Sequence, residues 1–160
     1  MKLYIKQKVF AFTDTFNVKD EYGNDKYFVE GEFFSFGHKL HIYDNNNNEV
    51  AFIREKLFTF RPRFEITING SVIGELVKKI TFFNSSYFIE GSSLELEGDF
   101  FSHEYTLSDN GQPIMEISKQ WFTWGDSYEL DIANPGDELL SLAIALAVDC
   151  QMCTESSNNH

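Results

Sequence analysis

Leu139 to Val148 is a helix-length run with one polar residue, Ser141, and apolar side chains on every side. A surface helix keeps a polar face. One that is hydrophobic all round is enclosed by protein or sits in lipid. About ten residues is well short of the ~20 needed to cross a bilayer. The helix expected over 137–149 is therefore enclosed by protein, and everything before it reads as short strands. The fold class that follows is all-β with one helix: a closed barrel of about twelve mostly antiparallel strands around a buried, hydrophobic C-terminal α-helix. Residues 1–150 make the domain, and 151–160 read as a polar, flexible tail.

The strand signal is alternation. In Lys2 to Phe10, Leu3, Ile5 and Val9 share one face, and Lys2, Lys6 and Lys8 the other. Turn signals punctuate the chain at Tyr22-Gly23-Asn24, Asp44 to Asn48, Asn69-Gly70 and Asp109-Asn110-Gly111. An internal repeat sharpens this reading. Shifted by 64 positions, Ile53 to Phe60 lies on Ile117 to Trp124, and Phe64 to Ile68 lies on Tyr128 to Ile132. A fainter copy runs from Leu76 to Ile80 and then Tyr87 to Ile89. Each unit is a strand, an aromatic corner and a returning strand. One hairpin cannot bury its own apolar face, but several in a closed sheet can.

The net charge of −12 is one-sided along the chain: residues 1–80 hold 12 Lys/Arg and 11 Asp/Glu, and residues 81–160 hold only Lys119 against 14 acids. Such a chain is repelled by nucleic acid and by anionic membrane surfaces. No signal peptide or transmembrane segment is visible, so the expected compartment is the cytoplasm, with peripheral membrane attachment as its extension. Any anion site belongs in the first half or near Lys119. The acidic half suits a basic protein partner.

The basic residues most worth weighing are Arg54 and Lys56, on one strand face, and Arg61 and Arg63, flanking Pro62 at the next corner. Guanidinium groups grip phosphate in bidentate fashion; the plainer alternative is surface ion pairing with Glu49, Glu55 and Glu65. The repeat adds a second set. Glu55, Lys78 and Lys119 share the parity of the buried positions Ile53, Leu76 and Ile117. Ideal alternation points these charges inward, where each needs a bulge, a partner or a reach to the rim. Lys78 and Lys119 could there hold an anionic group.

No catalytic constellation stands out. Gly125-Asp126-Ser127-Tyr128 aligns with a hairpin turn, so turn chemistry accounts for it. His38 and His41, three apart on a strand, face opposite ways and are poorly placed to share a metal. Cys150 and Cys153 lack both a thioredoxin-like context and further zinc ligands. No cofactor and no enzymatic activity are expected.

Three segments carry a family likeness: Gly98 to Tyr105, Ile117 to Tyr128 with its Trp124-Gly125-Asp126-Ser127-Tyr128, and the apolar run Leu139 to Asp149. Together they resemble the LURP-one-related family, which is similar in fold to the tubby C-terminal domain and to phospholipid scramblases. The likeness extends from Tyr4 to Asp149. It implies a twelve-stranded barrel enclosing a C-terminal helix. Tubby domains bind phosphoinositide head groups through basic residues on the barrel wall, and scramblase relatives act at membranes; no tubby ligand motif recurs in this chain. The resemblance and the basic bias of the first half, which holds all but one of the cations, together imply a non-enzymatic binding module for an anionic ligand, a phospholipid head group or another small anion. The alternative is an interaction scaffold that uses its acidic surface.

Overall fold

The computed structural model describes residues 1–6, 15–32, 36–80, 85–122 and 125–158. These form β1 (Lys2–Lys6), β2 (Thr15–Asp20), β3 (Asp25–Glu32), β4 (Lys39–Tyr43), β5 (Glu49–Lys56), β6 (Arg63–Ile68), β7 (Ser71–Ile80), β8 (Ser85–Glu90), β9 (Leu94–Asp99), β10 (Glu104–Asp109), β11 (Gln112–Phe122) and β12 (Gly125–Ile132). A 3-10 turn at Pro135–Asp137 leads into one helix, α1 (Glu138–Asn158). Each strand pairs antiparallel with the next, and β1 pairs with β12, so the sheet closes into a barrel without edges.

The turn signals sit where the chain reverses. Asn69-Gly70 and Asn110-Gly111 both take positive φ at both residues, the geometry of a two-residue hairpin that matches strand twist. Asp44 closes its own turn by accepting from the backbone N–H of Asn46 and Asn48. These short turns lie at one end of the barrel. The connections β1–β2, β3–β4, β5–β6, β7–β8, β9–β10 and β11–β12 lie at the other, and are called arms below.

The repeat is a repeat of arms. Ile53 pairs with Ile66, Leu76 with Ile89 and Ile117 with Leu130, each pair buried and thirteen residues apart. Two arms that the repeat did not reveal share this span: Ile5 pairs with Val18 and Val29 with Ile42. Leu3 and Ile5 point inward as their alternation predicts. Val9 lies outside the described residues, as do the side chains of Ile80, Trp121 and Asp126.

Helix α1 occupies the barrel. Ser141 to Gln151 are all buried, so its lack of a polar face is matched by protein on every side. The expected tail is corrected here: the helix continues to Asn158 rather than ending near Asp149. The first polar residues beyond the apolar run lie against the barrel mouth. Gln151 is fully buried and Thr154 nearly so, and Glu155 meets Lys78. No described helix is long and apolar enough to cross a membrane.

Candidate functional site

The cations singled out in the sequence fall into two settings. On the outer wall, Arg54, Glu65, Glu75 and Glu90 form one cross-strand row over β5 to β8, because the register places each opposite the next. Arg54 bonds Glu65 at 2.9 Å, Lys56 reaches Glu65 and Glu75, and Arg63 meets Glu75 at 3.1 Å and also Glu90. These cations form an ion-pair ladder along the wall. Glu75 is held below the usual carboxylate range, chiefly by the Lys56 hydrogen bond.

The second setting is the mouth at the arm end. The described register shifts lie at Val18/Lys19, Ile42/Tyr43, Ile66/Thr67 and Leu107/Ser108, so no bulge turns Glu55, Lys78 or Lys119 aside. The inward charges find partners at the rim instead. Glu55 accepts from the backbone N–H of His38 at 3.0 Å and lies 2.7 Å from its Nδ1. Lys78 donates to Glu155 on the last turns of α1, so the anion it holds is the protein's own helix end. Lys119 stands opposite Tyr128 on β12. Arg61 is exposed in the β5–β6 arm.

Deeper inside, α1 presents Asp149, only 4% exposed, to His103 of the β9–β10 arm at 3.1 Å. The His103 ring stacks on Tyr128 at 3.9 Å. Burial pushes the Asp149 carboxyl up, against the pull of His103. Burial likewise pushes the Cys150 thiol up, making it a poor nucleophile. His41 lies on the outer face between Glu32 and Glu49, at 2.9 and 2.8 Å. A wall groove of about 230 Å³, lined in part by Lys79, Ser86 and Glu97, is smaller than the ~300–1,000 Å³ of ordinary small-molecule sites.

The two ends of the barrel differ in a way that the linear order of residues does not display. With each strand divided at its middle, nine described cations fall in the arm half: Lys6, Lys39, Arg54, Lys56, Arg61, Arg63, Lys78, Lys79 and Lys119. Ten acids share that half, Asp149 in the interior and Asp126 by its strand position included, whereas the turn half holds three cations and fourteen acids. Nearly all of the acidic excess is therefore at the turn end. Many arm-half carboxylates are engaged: Glu32 by His41, Glu55 by His38, Glu65 by Arg54, Glu155 by Lys78, and Asp99 by the Ser102 backbone and hydroxyl. Lys6, Arg61 and Lys79 are exposed and enter no ion pair among the described residues.

The arm end also carries exposed apolar side chains: Phe36, Leu57, Phe58, Phe60 and Phe101. The corresponding signal in the sequence is the aromatic corner of the repeat, which recurs in every arm. Among the short turns of the other end only Tyr22 is aromatic.

Comparison with known proteins agrees with this architecture. The family described as LURP-one-related matches residues 1–149. The uncharacterized protein YxjI of Bacillus subtilis (strain 168) is 39% identical over 149 residues, covering 93% of this chain and 92% of that protein. The X-ray structure of the Arabidopsis thaliana protein AT5G01750 superposes with a TM-score of 0.63 at 12% identity, covering 92% of this chain and 89% of that one. At that identity the likeness is one of fold.

Proposed function

The chain belongs to the LURP-one-related family, and from that premise we propose that it is a non-enzymatic binding module for an anionic ligand, a phospholipid head group, engaged at the arm end of the barrel. The observation that carries this reading is the separation of charge. The turn half holds fourteen acids against three cations, while Lys6, Arg61 and Lys79 stand exposed at the other end without ion pairs among the described residues. A strand of eight residues spans about 26 Å, or about 20 Å along the axis after barrel tilt. That is about two Debye lengths at 0.1 M salt. The acidic end therefore hardly weakens the attraction of an anion to the arm end. The wall ladder supplies less, because Arg54, Lys56 and Arg63 already hold carboxylates.

The test is flotation with vesicles of phosphatidylcholine alone or mixed with phosphatidylserine, cardiolipin or phosphoinositide, at low and moderate salt. Salt-sensitive flotation with the anionic mixtures is expected. Lys6→Gln/Arg61→Gln/Lys79→Gln lowers partitioning by about two orders of magnitude, since each cation near such a surface contributes ~1 kcal/mol. Arg54→Gln/Arg63→Gln changes it little. Flotation equal in the triple variant and abolished in the wall variant would move the site to the ladder.

The acidic turn end favours a second reading, capture of a basic protein partner. Salt-sensitive retention on a cationic peptide surface, with no flotation on any vesicle, would select it.

A further inference from the structure

Resting on the head-group reading, we infer that the aromatic arms enter the interfacial layer of a bilayer, so that the partner is a lipid surface rather than a soluble anion. The β5–β6 arm argues this most directly. Phe58 and Phe60 are 104% and 101% exposed, as open as in an extended peptide. Phe58 holds φ at 60°, a region bulky side chains rarely occupy. The loop is closed behind it by the Thr59 hydroxyl, which donates to the Arg61 carbonyl at 2.6 Å. The arm thus presents both rings to solvent, Phe58 from a backbone held in the left-handed region.

Phe36 and Phe101 project in the same manner from the β3–β4 and β9–β10 arms, 91% and 81% exposed. The β3–β4 arm lies against the β5–β6 arm, with Gly37 beside Leu57, whereas Phe101 is carried two arms further round the barrel. Rings spread in this way around the mouth suit a fluid apolar layer better than one short peptide. The cations fit the same occupant: Arg61 directly follows Phe60, and Lys79 and Lys6 lie at the arm ends of β7 and β1. An apolar tip with a cation just behind it matches the acyl boundary and the head-group layer of an anionic membrane. Leu57, Phe58 and Phe60 adjoin within one arm, and an exposed apolar group of that kind marks an interaction surface. The contact lies at the barrel end and leaves α1 enclosed.

The experiment compares the full chain with Phe58→Ser/Phe60→Ser, using phosphatidylcholine–phosphatidylserine vesicles, a monolayer of the same lipids, and inositol hexakisphosphate as a soluble polyanion. Both rings are fully solvated, so an unchanged melting temperature is the folding control. Expected are a rise in monolayer surface pressure with the native chain, loss of that rise in the variant, and vesicle partitioning weaker by about tenfold or more per ring. Anionic-vesicle binding without a pressure rise, equal in the variant, would overturn insertion and leave the head-group reading standing. Equal affinity of both chains for inositol hexakisphosphate with no vesicle preference would overturn the bilayer as partner. No binding to vesicles or polyanion would overturn both readings. A native dimer in sedimentation, dissociated by the same substitutions, would assign the rings to a second copy of this chain and overturn the inference.

Discussion

At the residue scale, the most consequential group inside the barrel is Asp149. Its carboxyl is almost fully buried and one oxygen, Oδ2, has no partner among the described residues. Burial holds its folded pKa above the ordinary value, with His103 pulling the other way. The folded state then binds more protons than the unfolded chain in the window between the two pKa values. Stability from this group is fully present below the ordinary carboxylate pKa and is lost as pH rises through the raised one. Asp149→Asn is expected to be more stable than the native chain at neutral pH, with the difference closing in acid; urea melts between pH 4 and 8 would measure it. Gly98 shows a purely steric constraint. Its φ is 144°, and an added Cβ would sit 2.5 Å from the Glu104 carbonyl oxygen and 2.6 Å from the Tyr105 Cα. Both are backbone atoms of the paired strand, so neither yields easily. Gly98→Ala should cost about 3 kcal/mol, read as a lower urea midpoint at unchanged m.

At the scale of elements, the arm is the unit of construction and the helix closes the core. Five of the six arms place a buried pair thirteen residues apart, and the first four such arms begin at Ile5, Val29, Ile53 and Leu76. The two strongest copies were legible because Ile53 to Ile68 and Ile117 to Ile132 keep similar side chains as well as register. The copies beginning at Ile5 and Val29 were not, because a barrel wall asks only for an apolar residue at the inward position and leaves the outer face free to diverge. Helix α1 was legible over its apolar stretch and truncated beyond it. Gln151, Thr154 and Glu155 read as solvent-facing by type, yet the mouth encloses or pairs them. Leu146 is fully buried at the middle of α1. Leu146→Ala should cost about 2–5 kcal/mol by calorimetry or denaturant melts. Removal of residues 139–148 should leave an aggregating chain, because every strand presents its inward side chains to that helix or to the space around it.

At the scale of the whole molecule, charge has a direction that linear counting did not reveal. The chain reads as balanced in its first half and acidic in its second, whereas the barrel folds both halves into the same wall and sorts charge by end. Removing turn-end charge, as in Glu21→Gln/Glu116→Gln, should leave anionic-vesicle binding unchanged within about twofold at 0.1 M salt, where the Debye length is ~10 Å, and strengthen it at 0.01 M, where it is ~30 Å. Flotation at the two salt concentrations checks this. The closed barrel, its short turns and its enclosed helix could be deduced from residues alone, because periodicity and turn chemistry are local and an apolar helix admits few surroundings. The wall ladder, the Lys78–Glu155 contact and the gathering of aromatic tips at one mouth could not. Each depends on register between strands or on which end of the barrel a loop occupies, and those relations exist only once distant segments have paired.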